Sequence, residues 1–150
     1  MIAYDYRPRR RWLNFKRKTT YSIKGNYMDG IKQGEWTEQK NKNGLLMEKE
    51  TYDKGMLQGK RYSYRFQYTD KWSDCRDVVD KKIVKKKGLW RNNRYYMSSV
   101  SNYINNETNG IQYTYHCNGR LASKAEYKDD YMHGLYELYN SDGEVTKRAN

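Results

Sequence analysis

Aromatic and polar residues alternate in short runs along this chain, and Asx-Gly dipeptides cut the runs apart. Tyr62, Tyr64 and Phe66 fall at every second position, as do Tyr113 and Tyr115. Side chains of an extended strand share a face at that spacing. Asp29-Gly30, Asn43-Gly44, Asn118-Gly119 and Asp142-Gly143 read as hairpin turns, because glycine takes the positive φ of a tight turn and Asn or Asp tolerates it. Strands are therefore expected over 21–28, 35–39, 45–52, 60–68, 111–116, 121–127 and 135–139. No stretch holds a 3.6-residue apolar period for three turns. Residues 77–87, where Val78, Val79, Ile83 and Val84 suit one helical face or a strand equally, come closest.

The strands recur with a period. Tyr27-x-x-Gly30-x-x-x-Gly34-x-Trp36 returns as Tyr52-x-x-Gly55-x-x-x-Gly59, as Tyr103-x-x-Asn106-x-x-x-Gly110, and as Tyr127-x-x-Asp130-x-x-x-Gly134-x-Tyr136. Repeats of about 25 residues bury their faces only against their neighbours and present a surface. The second glycine of each unit is expected to let a neighbouring aromatic ring pack down on the backbone. Gly59 and Gly110 stand two periods apart. This implies a sheet continuing through an eroded middle unit, with Gly88-Leu89-Trp90 as its remnant and an insertion at about 68–94.

These motifs resemble the MORN-repeat variant found in many bacterial proteins. The closest stretch runs from Tyr127 through Gly134, Tyr136 and Tyr139 to Gly143, and the likeness covers 21–66 and 102–146. Asn106 and Asp130 depart from the pattern by replacing the first glycine. The resemblance implies an all-β fold, an elongated meander of antiparallel hairpins. It also implies a role in binding other molecules, some bacterial members being antitoxins.

Composition narrows the picture. Leu, Ile, Val and Phe supply only 21 of 150 residues and the net charge is +12, a balance that alone would favour disorder. Seventeen tyrosines and four tryptophans argue instead for a thin sheet, since tyrosine joins an apolar ring to a hydroxyl that can stay wet. The charge is local. Residues 1–20 carry seven bases against Asp5, residues 81–94 carry seven bases and no acid, and the rest is nearly neutral. The chain thus divides into a basic N-terminal arm, 1–20, and a repeat domain, 21–150.

The candidate binding residues follow from that division. Arg9, Arg10 and Arg11 beside Trp12 mix guanidinium with an aromatic ring, a mixture that suits phosphate contact, base stacking or an acidic protein surface. Lys85, Lys86 and Lys87 form a second basic patch, with Asp74, Asp77 and Asp80 nearby to neutralise it. Trp12 and Trp72 lie outside the repeat frame and are the tryptophans suited to anchoring an interface. Trp36 and Trp90 hold equivalent repeat positions and suit packing.

Catalytic and metal chemistry find little support. His116 adjoins Cys117, but adjacent strand residues point to opposite faces. No Cys-x-x-Cys or His-x-x-x-His spacing marks a metal site. His133 precedes a repeat glycine, as histidine often does in the family pattern. Two cysteines do not make a disulfide framework, and a reducing compartment disfavours a Cys75–Cys117 bond. There is no apolar run of membrane-spanning length and no signal-type apolar stretch, so a soluble cytoplasmic protein is expected. The expected function is non-enzymatic, without cofactor: recognition and steric inhibition or scaffolding of a protein partner. Nucleic-acid or nucleotide binding through the arm and tyrosine stacking is the alternative. Open sheet edges leave room for a dimer, although lysines can blunt them.

Overall fold

Four two-residue turns set the architecture. Asp29-Gly30, Lys54-Gly55, Asn105-Asn106 and Asp129-Asp130 all take positive φ at both positions, between 48° and 81°. That geometry suits the right-handed twist of paired strands. The computed structural model describes residues 2–5, 21–40, 44–68 and 93–150. The four turns join β2 (Tyr21–Met28) to β3 (Ile31–Lys40), β4 (Leu45–Asp53) to β5 (Met56–Leu57), β7 (Asn93–Ile104) to β8 (Glu107–Thr108), and β10 (Leu121–Lys128) to β11 (Tyr131–Tyr139). The two-residue strands β5 and β8 lead into β6 (Gly59–Tyr68) and β9 (Gly110–Tyr115). With β1 (Ile2–Asp5) and β12 (Val145–Ala149), these strands form one antiparallel sheet ordered β1-β2-β3-β4-β6-β7-β9-β10-β11-β12. The described residues contain no helix.

Three features differ from the sequence reading. Part of the expected N-terminal arm is strand: Ile2–Asp5 pairs with β2, setting Ala3 opposite Gly25. Residues 6–20 lie outside the described residues. No unit stands between the second and third hairpins, because β6 pairs directly with β7 from Gly59↔Tyr103 to Tyr68↔Asn93. Residues 69–92 join the ends of these two strands and lie outside the described residues, as do the proposed remnant 88–90 and the ambiguous run 77–87. The third difference concerns the second glycine. A Cβ at Gly34 or Gly59 would meet nothing within 4 Å, but φ is 72° and 73° there. Glycine is required by the left-handed backbone, not by a ring above it.

The close ring contact falls instead on Gly25, where a Cβ would stand 2.1 Å from Cδ2 of Trp36. This pair belongs to a row across the sheet: Gly25, Trp36, Glu50, Arg61, Ser101, Gln112, Ala125 and Tyr136. Trp36↔Glu50, Arg61↔Ser101, Gln112↔Ala125 and Ala125↔Tyr136 are register partners. Gly25 sits at the register shift of β2 against β3, and the other neighbours meet through their side chains. Each hairpin contributes two members eleven residues apart, and each pair is complementary in a different way. Glycine faces tryptophan and alanine faces tyrosine. Glu50 Oε1 lies 2.9 Å from Arg61 Nε. Gln112 donates to the Ser101 hydroxyl at 2.9 Å. Trp36, Ser101 and Ala125 are all at most 5% exposed, so this row is the centre of what core a single-layer sheet can have.

The turns are tied to one another along one rim. The amide nitrogens of Gly55, Asn106 and Asp130 donate to the carbonyls of Lys32, Leu57 and Thr108 in the preceding hairpin. Asn106 Oδ1 also accepts from Leu57 N at 2.7 Å, and Asp130 Oδ1 accepts from Thr108 N at 2.6 Å. The two residues that replace the repeat glycine therefore each gain a bond that glycine cannot make. The residue before the second glycine completes the tie. Gln33 Oε1 accepts from Lys54 N, Gln58 donates to Asn105 Oδ1, and Asn109 Oδ1 accepts from Asp129 N.

Candidate partner-binding face

Strand alternation gives the other face of the sheet its own row. Lys24, Thr37, Lys49, Tyr62, Val100, Tyr113, Lys124, Glu137 and Arg148 stand opposite one another in turn. Residues two positions along β6 and β9 share this face. Tyr62, Tyr64 and Phe66 on β6 and Tyr113 and Tyr115 on β9 thus join Tyr95, which is paired with Phe66 on β7. All six are neither fully buried nor fully exposed.

Part of this cluster is pre-organised. Tyr64 stacks on Tyr95 with ring centroids 5.5 Å apart and planes at 11°. Phe66 meets Tyr95 at 5.2 Å and 44°, and Lys40 Nζ lies 4.5 Å from the Phe66 centroid. The Tyr95 hydroxyl donates to the Leu46 carbonyl. Burial, then Tyr64, pushes its phenol up to about 12, and burial followed by Tyr113 raises Tyr115. These phenols stay neutral at ordinary pH.

Two of the cations on this face, Lys49 and Arg148, are paired with carboxylates. Lys49 Nζ lies 2.6 Å from Glu35, and Arg148 NH2 lies 2.7 Å from Glu137, which also accepts from the Tyr139 hydroxyl at 2.8 Å. On the opposite face the charged groups pair as well. Arg61 reaches Glu48 Oε2 at 2.9 Å as well as Glu50, and Tyr52 donates to Glu50 at 2.8 Å. Burial alone would lower the Arg61 guanidinium, but the hydrogen bond and charge of Glu48, aided by Glu50, raise it. Lys32 Nζ sits 4.4 Å from the Trp36 ring and 4.5 Å from Tyr52, a cation-π contact on both rings.

The binding residues named from sequence, Arg9, Arg10, Arg11, Trp12, Trp72, Lys85, Lys86 and Lys87, all lie outside the described residues. Trp36 is a packing residue. His116 Nε2 lies 2.9 Å from the Tyr139 carbonyl, and Cys117 is buried and disulfide-bonded, contrary to the reduced thiol expected. Cys75 lies outside the described residues. Among the described residues no three His, Cys, Asp or Glu side chains gather to hold a metal ion, and no helix is long and apolar enough to cross a membrane. Sequence reasoning placed Tyr62, Tyr64 and Phe66 on one face but did not join Tyr95 to them. Tyr95 reaches the cluster across a bulge at Ser98, which shifts its register.

No protein-family model matches this chain, and neither the curated proteins nor the solved structures contain a match to it.

Proposed function

We propose that this chain is a non-enzymatic binding protein whose tyrosine face recognises a protein partner and sterically blocks or scaffolds it. One observation carries the reading. Six half-buried aromatic side chains lie on one face of an open sheet, on the three strands β6, β7 and β9. Tyrosine offers large contact area at low rotamer cost together with a hydroxyl for polar contact, and it is enriched at the energetic centres of interfaces. Lys49 and Arg148 on that face are paired with Glu35 and Glu137, which leaves Lys24 and Lys124 of the same row for phosphate contact, and phosphate binding draws on unpaired cations. The aromatic cluster is the larger feature and supports a protein partner. The resemblance to the MORN-repeat variant extends the proposal to an inhibitor of antitoxin type.

The test uses Tyr62→Ala/Tyr113→Ala, because both positions flank Val100 and neither tyrosine makes a ring–ring contact among the described residues. A protein captured from nuclease-treated lysate is identified, purified and titrated with both forms. The double variant is expected to weaken binding at least ~30-fold while keeping the β-sheet spectrum. Equal affinity of the two forms defeats the proposal. So does capture that vanishes on nuclease treatment and falls steeply with salt, which is the behaviour of the nucleic-acid alternative.

A further inference from the structure

The rim contact that ties one turn to the next is made three times, and the fourth hairpin presents the same edge with no strand beside it among the described residues. In the first three hairpins the residue two places before the second glycine presents its backbone outward and is met by the following turn. Lys32 O, Leu57 O and Thr108 O each accept from that turn's amide. The same registers set the leading tyrosine of the next unit opposite the glycine, as Gly34↔Tyr52, Gly59↔Tyr103 and Gly110↔Tyr127. In the fourth hairpin the equivalent residues are Met132, His133 and Gly134. β12 covers β11 only from Tyr136 to Tyr139. The outer edge of 131–135 has no strand beside it among the described residues, and Tyr131 and Met132 are 78% and 54% exposed.

The geometry points to this half-edge of β11 as a docking site for a strand-and-turn segment of a partner, one that presents a tyrosine followed two residues later by an Asx-Gly or Lys-Gly turn. The argument is continuity with an interface the chain makes three times. Met132 supplies the outward N–H and C=O that Leu57 and Thr108 use. His133 stands where Gln33, Gln58 and Asn109 contact the incoming turn. Gly134 takes φ of 90°, in the same left-handed region as Gly34, Gly59 and Gly110. An added strand of this kind binds through main-chain hydrogen bonds, with side chains setting the choice. The site is built from residues remote from the tyrosine face, so the two proposals stand or fall separately.

The probe is a synthetic peptide copying residues 51–58, the segment that fills this position on the first hairpin. It is added to the ¹⁵N-labelled full chain and followed by amide shifts. Saturable shifts confined to 131–135 are expected. Met132→Pro, which removes the outward N–H without touching the bonds to β10, is expected to raise Kd at least tenfold. A peptide whose glycine is replaced by valine, which resists positive φ, is expected to lose binding to the same degree. His133→Ala is the milder variant should the proline disturb the edge, and a several-fold loss is expected from it. The absence of shifts up to millimolar peptide overturns the proposal, as do shifts centred on Tyr62 and Tyr113 or binding that survives all three changes. Shifts at 131–135 that appear on raising the protein concentration alone assign the edge to a second copy and overturn it too.

Discussion

The indole of Trp36 lies against the backbone of Gly25 so closely that no side chain fits between them: a Cβ there would be 2.1 Å from Cδ2 and 2.3 Å from Cε2. Tyr27 and Tyr52 hold the indole edge-on, at 5.0 and 6.2 Å. Gly25→Ala is expected to destabilise the sheet by about 1–3 kcal/mol, the cost of overpacking. Gly25→Ala/Trp36→Tyr recreates the Ala125–Tyr136 pair and is expected to recover part of the loss. A double-mutant cycle by urea denaturation checks this, with a coupling of about 0.5–3 kcal/mol.

The repeat glycines have a different sensitivity. At Gly59 the backbone φ of 73° is the obstacle and space is not. Gly59→Val is expected to cost about 1–3 kcal/mol, and Gly59→Asn much less, because Asn tolerates the left-handed region. Equal losses for the two variants in thermal unfolding would point to crowding instead.

Acid should loosen the rim. Thr108 holds the Asp130 carboxyl below its ordinary range through its hydroxyl and its amide, and the Tyr139 hydroxyl and Arg148 do the same for Glu137. A carboxyl lowered on folding contributes stability above its unfolded pKa and loses it as pH falls through the folded value. The melting temperature is therefore expected to drop below about pH 4. Asp130→Asn should keep the bond to Thr108 N, as Asn106 keeps its bond to Leu57 N, and should flatten the acid limb. An unchanged acid limb in that variant removes Asp130 as its source.

Base should act through the phenols. Tyr52, raised by burial and then by its bond to Glu50, and Tyr95, raised by burial and then by Tyr64, both reach about 12. Groups raised on folding contribute stability that is intact below their unfolded pKa, about 10, and is lost as pH climbs through the folded value. Ultraviolet titration should show two late phenolates near pH 12, coincident with loss of sheet signal. Tyr95→Phe should remove one of them.

The strands written most plainly in the sequence were those flanked by Asx-Gly turns. Residues 21–28 appear as β2 with the bounds expected. β7 was missed because Ser98, Ser99, Ser101 and Asn102 give it little apolar alternation. Its polarity has a structural cause, since Ser98 and Ser101 are both buried and both take part in hydrogen bonds. β12 was missed because every residue of it is exposed. The complementary pairs eleven positions apart were visible in principle as Glu50–Arg61 and Gly25–Trp36, but only the side-chain contacts of the folded hairpins identify them as partners. Apart from Arg94 in β7, the basic residues of the two segments that dominated the sequence reading lie outside the described residues, and the tyrosine face was legible through its spacing in β6 and β9.

The central row also bears on how such a ribbon can change over evolutionary time. Its hairpins are not interchangeable modules, because Trp36 abuts Glu50, Arg61 abuts Ser101 and Gln112 abuts Ala125 across their boundaries. Exchanging the second and third hairpins would bring unlike chemistries together, setting the Trp36 indole beside Ser101 and the Arg61 guanidinium beside Ala125. The order of the hairpins is thereby encoded in their middles, and reshuffling them would demand matching substitutions on either side of each new seam.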